Sequence, residues 1–351
     1  MDGPKFKPSF HLRIDPSDFE LAATEEKESL VVMRKSVGFW RDGMSRLRRN
    51  KIAMVSFAVI ILFLIGAFVV PAIYPYTYER IDKEGGNLLP LQYSESELAR
   101  KANGESVFPH LMGTDQLGRD SMIRLLMGSR ISLLIGIIAS AIILVIGSIY
   151  GAVAGYFGGR VDMVMMRIVD IIYSVPDILI IIILSVTLKY PLKNLAERTR
   201  GFEWINTIGV SLICIFIVFS LLYWVSMARI VRGQILALKQ QEYVTAARAL
   251  GASSGRIIRR HLLTNCIGTL TVTTTLEIPA SIFTESFLSF LGLGVAAPMP
   301  SLGSMASEAV SGIGSYPHRL ISAAVMIGLI ILAFNLFGDG LRDAFDPKLK
   351  Q

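Results

Sequence analysis

The chain contains six long apolar stretches separated by polar segments. Each approaches or exceeds the ~20 residues that a helix needs to cross a hydrocarbon core of about 30 Å. Because a backbone inside hydrocarbon must satisfy its own hydrogen bonds, the pattern predicts membrane-spanning helices. The first span starts only at residue 52, which favours an anchor helix over a cleavable signal peptide. The predicted spans are Ile52–Val70, Ile131–Ala154, Val164–Leu188, Thr207–Met227, Leu270–Leu291 and Leu320–Phe337.

Lysine and arginine residues near the ends of the spans predict their orientation. The run RLRRNK at residues 46–51 directly precedes the first span and favours a cytoplasmic N-terminus, and six crossings return the C-terminus to that side. Segment 229–265 has seven cations and one acid and falls on the cytoplasmic side, whereas the acid-leaning loop 74–118 falls outside. The cations between residues 189 and 200 fall outside and oppose this orientation.

The composition excludes a fully soluble enzyme. Apolar residues make up 52% of the chain and charged residues only 18%, against about 25% charged in a soluble domain. The net charge of +7 favours cytoplasmic membrane loops over nucleic-acid binding. Cys214 and Cys266 provide neither a metal-ligand spacing nor a disulfide framework. The sequence lacks a GxxxxGK[ST] phosphate loop, so any ATP that drives this protein must be hydrolysed by another chain.

Small residues recur every four positions along the second predicted span. Gly147, Gly151 and Gly155 lie on one helix face, where they let another backbone approach closely. The spacing predicts a packing seam, either within the chain or between subunits.

The third and fifth predicted spans carry acidic and hydroxyl side chains. In the third, Asp170, Ser174 and Asp177 are spaced by four and three residues and share one face, and Pro176 predicts a kink. A carboxylate at the bilayer centre costs about 3 kcal/mol, so such residues face a bundle interior or a wet cavity. An ion pair or a helix–helix hydrogen bond is the structural alternative, for example between Asp170 and the nearby Arg167. The residues that we select as candidates for a translocation path are Asp177, Glu277, Ser281 and Glu285.

A short helix is predicted between the fourth and fifth spans, over residues 241–251. Glu242 lies in its first turn, where a negative charge is favourable, and Gly251 suits its C-terminal end. Ser253 or Ser254 is a candidate cap for a second short helix through Arg260. A helix of small residues flanked by cations suits docking into a partner's groove, and an ordinary interfacial loop is the alternative.

Several motifs from Gly113 onward resemble one transporter family. Residues 242–252, EYVTAARALGA, look like the EAA loop of ABC importer permeases, and residues 113–120, GTDQLGRD, resemble the GTDxxGRD signature of peptide-importer permeases. Three further segments also fit: GYFGGRVD at 155–162, ESFLSFLGLG at 285–294 and FNLFGDGLRD at 334–343. The chain is thereby identified as similar to the C-type permease of the dipeptide, oligopeptide and nickel importer family. Residues 1–50 and most of 74–112 lie outside the strong match.

The resemblance implies an all-α membrane protein with six transmembrane helices and the type I importer (MetI-like) permease fold. It implies a second, B-type permease, two ATPase subunits that carry ATP and Mg, and an extracytoplasmic binding protein, in a bacterial or archaeal plasma membrane. Cofactors in this chain, a catalytic site and a metal site are not expected. The family's pattern often has a Pro shortly after the EAA loop, where this chain reads HLLTN with Thr264. By carry-over, the ATPase-coupling residues are Glu242, Ala246, Ala247, Arg248 and Gly251.

These inferences divide the chain into five parts. The expected parts are a cytoplasmic tail over 1–51, the first span over 52–73, an extracytoplasmic loop over 74–118, a five-helix core over 119–345 that includes the coupling loop 229–265, and a C-terminal tail over 346–351. Within the first part, an interfacial amphipathic helix and a disordered tail are both open. The leading functional hypothesis is an ATP-driven peptide importer permease. Nickel or another small solute is an alternative cargo, and an ion-gradient secondary transporter is the alternative class.

Overall fold

The computed structural model describes residues 38–199, 201–202, 204–295 and 299–345. The predictions for the first 37 residues and for the tail 346–351 lie outside the described residues. The chain divides into two units at Asp42, and all membrane-spanning helices belong to the unit that begins at Gly43.

The described chain is mainly helical. Its helices are α1 Phe39–Arg49, α2 Lys51–Phe68, α3 Val70–Ile73, α4 Glu95–Ala102, α5 Ser121–Phe157, α6 Gly159–Ser174, α7 Asp177–Arg198, α8 Trp204–Ile208, α9 Val210–Leu222, α10 Trp224–Leu238, α11 Glu242–Ala249, α12 Ser254–Arg256, a π-helix Ile257–Leu262, α13 Leu263–Asn265, α14 Ile267–Phe290, α15 Leu302–Val310 and α16 Pro317–Phe345.

Five segments of the described chain are long and apolar enough to cross a membrane. A sixth exists if Ser254–Asn265 and Ile267–Phe290, which meet at an angle of 70°, are counted as one bent span. Counted in this way, the number agrees with the six predicted spans. The five segments are Lys51–Ile73, Ser121–Phe157, Asp177–Arg198, Val210–Leu238 and Pro317–Phe345.

The prediction of one continuous, kinked third helix is wrong. The helix α6 ends at Ser174 and α7 begins at Asp177, because Pro176 lacks an N–H and pushes Val175 into an extended conformation (φ −94°, ψ 136°). Asp170 and Asp177 therefore lie on different helices. Both halves run along the α9–α10 span: Ile181 of α7 packs on Val218, and α6 forms ion pairs with α10.

The ion pairs between α6 and α10 replace the pair that the sequence suggested. Arg229 donates to Asp170 at 2.9 Å and Arg232 binds Asp162 through two nitrogens at 2.5 and 2.6 Å. The hydrogen bond from Arg232, which outweighs the opposing effect of burial, lowers the pKa of Asp162. Arg229 and Arg232 belong to α10, so the first ten residues of the predicted loop 229–265 are helical.

The helix α5 is central to the bundle and packs on α10 through glycines. A Cβ at Gly147 would lie 2.6 Å from that of Met227, one at Gly151 would overlap the carbonyl oxygen of Ala228, and one at Gly155 would lie 3.0 Å from the Arg232 oxygen. The three glycines thus face one helix of the same chain. Lys239, at the C-terminal end of α10, donates to the Gly155 carbonyl at 2.8 Å.

The segment before α5 is fixed by a buried polar cluster. Asp120 caps α5 by accepting from the Ile123 N–H at 2.9 Å, and its other oxygen contacts His110 Nδ1 at 2.7 Å. Tyr76 stacks on the His110 ring and donates to Glu97 at 3.0 Å. Burial and the neighbouring Glu97 raise the pKa of Tyr76.

Candidate functional site

The helix α11 forms an exposed knob between α10 and α14. Glu242 is its first residue and lies in the first turn, and the helix ends at Ala249. The N–H groups of Gly251 and Ala252 donate to the carbonyls of Arg248 and Ala247, each at 3.0 Å, which is a Schellman motif. This motif requires a left-handed residue, and Gly251 has φ +79°.

One buried residue fixes α11 to the membrane bundle. Val244 is fully buried and packs in a cluster with Ile257, Leu262 and Cys266. Tyr243 adds a polar contact, because its hydroxyl oxygen accepts from Asn265 Nδ2 at 3.1 Å. The outer surface of α11 is exposed and includes Glu242, Ala246 and Arg248, whereas Ala247 is half-buried.

The segment after α11 differs from the predicted second helix. It begins as α12 and continues as the π-helix Ile257–Leu262, then bends by 70° into α14. Ser253 occupies the N-cap position, but its side chain makes no capping hydrogen bond. Short π-helices are frequent at functional sites, and this one joins α11 to α14.

Three cavities form a series along α14. The first cavity, at one end, has about 350 Å³ and lies between α7, α14 and Tyr223, the residue that links α9 to α10. The middle cavity has about 570 Å³ and opens where α6 and α7 are interrupted. The third has about 730 Å³ and lies between α10, α14 and the end of α16. Irregular backbone at membrane depth is tolerated where it lines a cavity, which agrees with the break at Pro176.

Two of the four predicted path residues line these cavities. Asp177 lies at the start of α7 on the first and middle cavities, and Glu277 of α14 lies on the middle and third. Tyr223 lies on the first and middle cavities, and its hydroxyl is 3.0 Å from the Thr284 hydroxyl. The two carboxylates therefore face one shared space.

The other two predicted path residues, Ser281 and Glu285, are fully buried inside the chain. Glu285 accepts hydrogen bonds from Ser132 of α5 at 2.7 Å and from Ser289 at 2.6 Å. Ser289 in turn accepts from the Val295 N–H at 3.1 Å. Their placement on the path is therefore corrected: Glu285 joins α14 to α5 and to the segment that follows α14.

Sequence reasoning missed several residues of this site. Leu250 is 88% exposed at the end of α11, which is unusual for a large apolar residue outside a lipid-facing span. Its signal was its position directly before Gly251, where the helix ends and its side chain no longer packs. Tyr223 and Tyr173 line the middle cavity, and no sequence pattern distinguishes them from the other aromatic residues of the spans.

These features agree with a membrane transport permease that exposes a short helix, α11, between two of its spans. Residues 147–351 match the family described as the inner membrane component of binding-protein-dependent transport systems, and residues 38–90 match the N-terminal transmembrane domain of oligopeptide transport permease C. The chain therefore belongs to this family of permease subunits, whose members are not enzymes.

Curated relatives cover nearly the whole chain. The oligopeptide transport system permease protein OppC of Bacillus subtilis is 40% identical over 95% of this chain and 97% of its own. The dipeptide transport system permease protein DppC of the same organism is 39% identical over 98% and 97%. OppC of Escherichia coli K12 is 34% identical over 92% and 94%.

Proposed function

We propose that the chain is one half of the translocation path of an ATP-driven importer of dipeptides or oligopeptides. A second, B-type permease completes the path, two ATPase subunits bind ATP and Mg, and an extracytoplasmic binding protein delivers the cargo. The names of the relatives, which are oligopeptide and dipeptide permeases, support the cargo class. The cations of residues 46–51 and of segment 229–265 support cytoplasmic termini in a bacterial or archaeal plasma membrane.

The observation that carries the proposal is the connection between α11 and the cavities. The exposed side of α11, with Glu242, Ala246 and Arg248, is the surface that an ATPase subunit binds, together with the half-buried Ala247 and with Gly251 just after the helix. Its buried Val244 contacts the π-helix, which continues into α14. Because α14 carries Glu277 on two of the cavities, a displacement of α11 changes the shape of the path.

The path runs through the three cavities past Asp177 and Glu277. Its peptide cargo moves when ATP binding and hydrolysis alternately favour two conformations of the permease pair. Asp177 and Glu277 place two carboxyl groups in this half of the path, and such groups can bind the ammonium group of a peptide.

A charge reversal tests the coupling role. Glu242→Lys in the assembled complex should lower peptide uptake per ATP hydrolysed, because it replaces an acid on the docking surface with a cation. Glu95→Lys is the matched control, since Glu95 is also the exposed first residue of an eight-residue helix and loses the same helix-dipole interaction. The measurement is simultaneous uptake and ATP hydrolysis in proteoliposomes. Equal coupling in the two variants would refute the role of α11, and uptake driven by an ion gradient without ATPase subunits would refute the importer assignment.

A further inference from the structure

The helix α1 presents both an apolar and a cationic surface beside its buried face. Gly43 and Leu47 are buried. At 100° per residue, Trp40 and Met44 come next around the helix, and they are 51% and 44% exposed. Arg41 and Arg48, both exposed, border them. This arrangement of one apolar strip with flanking arginines is typical of helices that lie in a membrane interface.

The position of α1 places it at the depth of lipid headgroups. Only Asn50 separates α1 from the first span, and its side chain caps that span by accepting from the Ala53 N–H at 3.1 Å. A helix held at the end of a span by one residue lies where the hydrocarbon core meets water. A tryptophan and arginines are suited to that depth.

The charge of this segment favours one kind of occupant. Residues 38–52 contain five cations and one acid. Lysine and arginine side chains are attracted to a membrane surface that carries anionic lipids, and clusters of these side chains select such lipids. We propose that the exposed face of α1, with Arg41, Arg48 and Arg49, binds the headgroups of anionic phospholipids.

A lipid bound to α1 would affect the transport path through the residues that form one wall of a cavity. Gly43 leaves no room for a Cβ beside the Phe345 ring at the end of α16, and Leu47 packs in a cluster with Leu341 and Ala344. Phe345 and Arg342 line the 730 Å³ cavity. Anionic lipid that holds α1 therefore supports one wall of this cavity. The inference uses the proposed orientation for one purpose only, which is to assign the membrane leaflet that supplies the lipid.

Quenching of Trp40 fluorescence by brominated lipid tests the proposal. The complete complex is reconstituted in vesicles of phosphatidylcholine and phosphatidylglycerol, with bromine either on the phosphatidylglycerol or on an equal amount of the phosphatidylcholine. The chain has three tryptophans, so subtracting the quenching of a Trp40→Phe complex isolates the Trp40 signal. We expect roughly twofold or greater quenching by brominated phosphatidylglycerol relative to brominated phosphatidylcholine.

Substitution of the arginines separates a specific site from general charge. The triple variant Arg41→Gln, Arg48→Gln, Arg49→Gln should abolish the preference. A control that removes three exposed cations elsewhere, Lys83→Gln, Lys101→Gln and Lys193→Gln, should keep it. Equal quenching of Trp40 by the two lipids, no quenching by either, or loss of the preference in the control would overturn the proposal. If the triple variant does not assemble, raising the salt concentration to about 1 M must reduce the preference in the parent complex. Peptide uptake by the parent complex, measured separately, shows whether the proposed function holds.

Discussion

The left-handed conformation of Gly251 explains why α11 ends at Ala249, and substitutions of Gly251 test this explanation. The residue has φ +79°, and a Cβ built on it meets nothing within 4 Å. Any penalty from this chain therefore comes from the backbone and not from a clash. A non-glycine residue in this region costs about 1–2 kcal/mol, less for Asn and more for a β-branched residue. That cost corresponds to a roughly 5–30-fold loss of the native helix end.

We expect peptide uptake per ATP hydrolysed to decrease in the order parent ≈ Gly251→Asn > Gly251→Ala > Gly251→Val. The assay measures peptide uptake and ATP hydrolysis together in proteoliposomes of the complete complex. Gly255→Val is the matched control, because Gly255 also has open space around it but no positive φ. It should cost little, because Val has a somewhat higher helix propensity than Gly.

Two outcomes would refute the reasoning. If Gly251→Val coupled as well as the parent, the Schellman end of α11 would have no role in coupling. If Gly251→Asn were as poor as Gly251→Val, the penalty would come from side-chain bulk against a partner and not from the backbone.

Three further predictions concern the bundle. Gly151→Ala should destabilise the detergent-purified complex by roughly 1–3 kcal/mol in thermal unfolding, since its Cβ meets the α10 backbone, whereas Gly233→Ala, with nothing nearby, should not. Because Arg232 holds the pKa of Asp162 below its ordinary value, this pair stabilises the fold above a pH of about 4 and loses its effect as the pH falls through the lowered pKa. Asp162→Asn should remove that acid-dependent part of the unfolding temperature, and an unchanged acid profile would contradict the pairing. Glu285→Ala should cost about 1–3 kcal/mol by leaving buried hydroxyls without an acceptor, and Glu285→Gln should cost less because it keeps one acceptor oxygen; equal losses in the two variants would contradict this hydrogen-bond argument.

Local patterns in the sequence were sufficient for the spans and for α11. The spans are long and mainly apolar, so their number follows from composition within a window, although the third was wrongly predicted as one continuous helix. Glu242 and Gly251 mark the ends of α11 because helix termini depend on residues within one turn. These features need no knowledge of distant parts of the chain.

Features that depend on distant partners were not predictable. Glu285 and Glu277 are both acids on the same helix, yet one is buried and the other faces two cavities. The difference lies in Ser132, which is 153 residues earlier and supplies a hydrogen bond to Glu285. Asp170 likewise pairs with an arginine 59 residues away and not with the nearest one. The sequence shows that these side chains need partners and does not show which partners they find.

The length of α5 has a mechanical consequence. Its 37 residues form a rod of about 55 Å, nearly twice the thickness of the hydrocarbon core. One end is capped by Asp120 beside His110, and the other end is held by Lys239 at Gly155. If such a rod tilts by about 5° around its midpoint, its two ends move about 2 Å in opposite directions. A single rigid helix can thus narrow the opening on one side of the membrane while it widens the opening on the other.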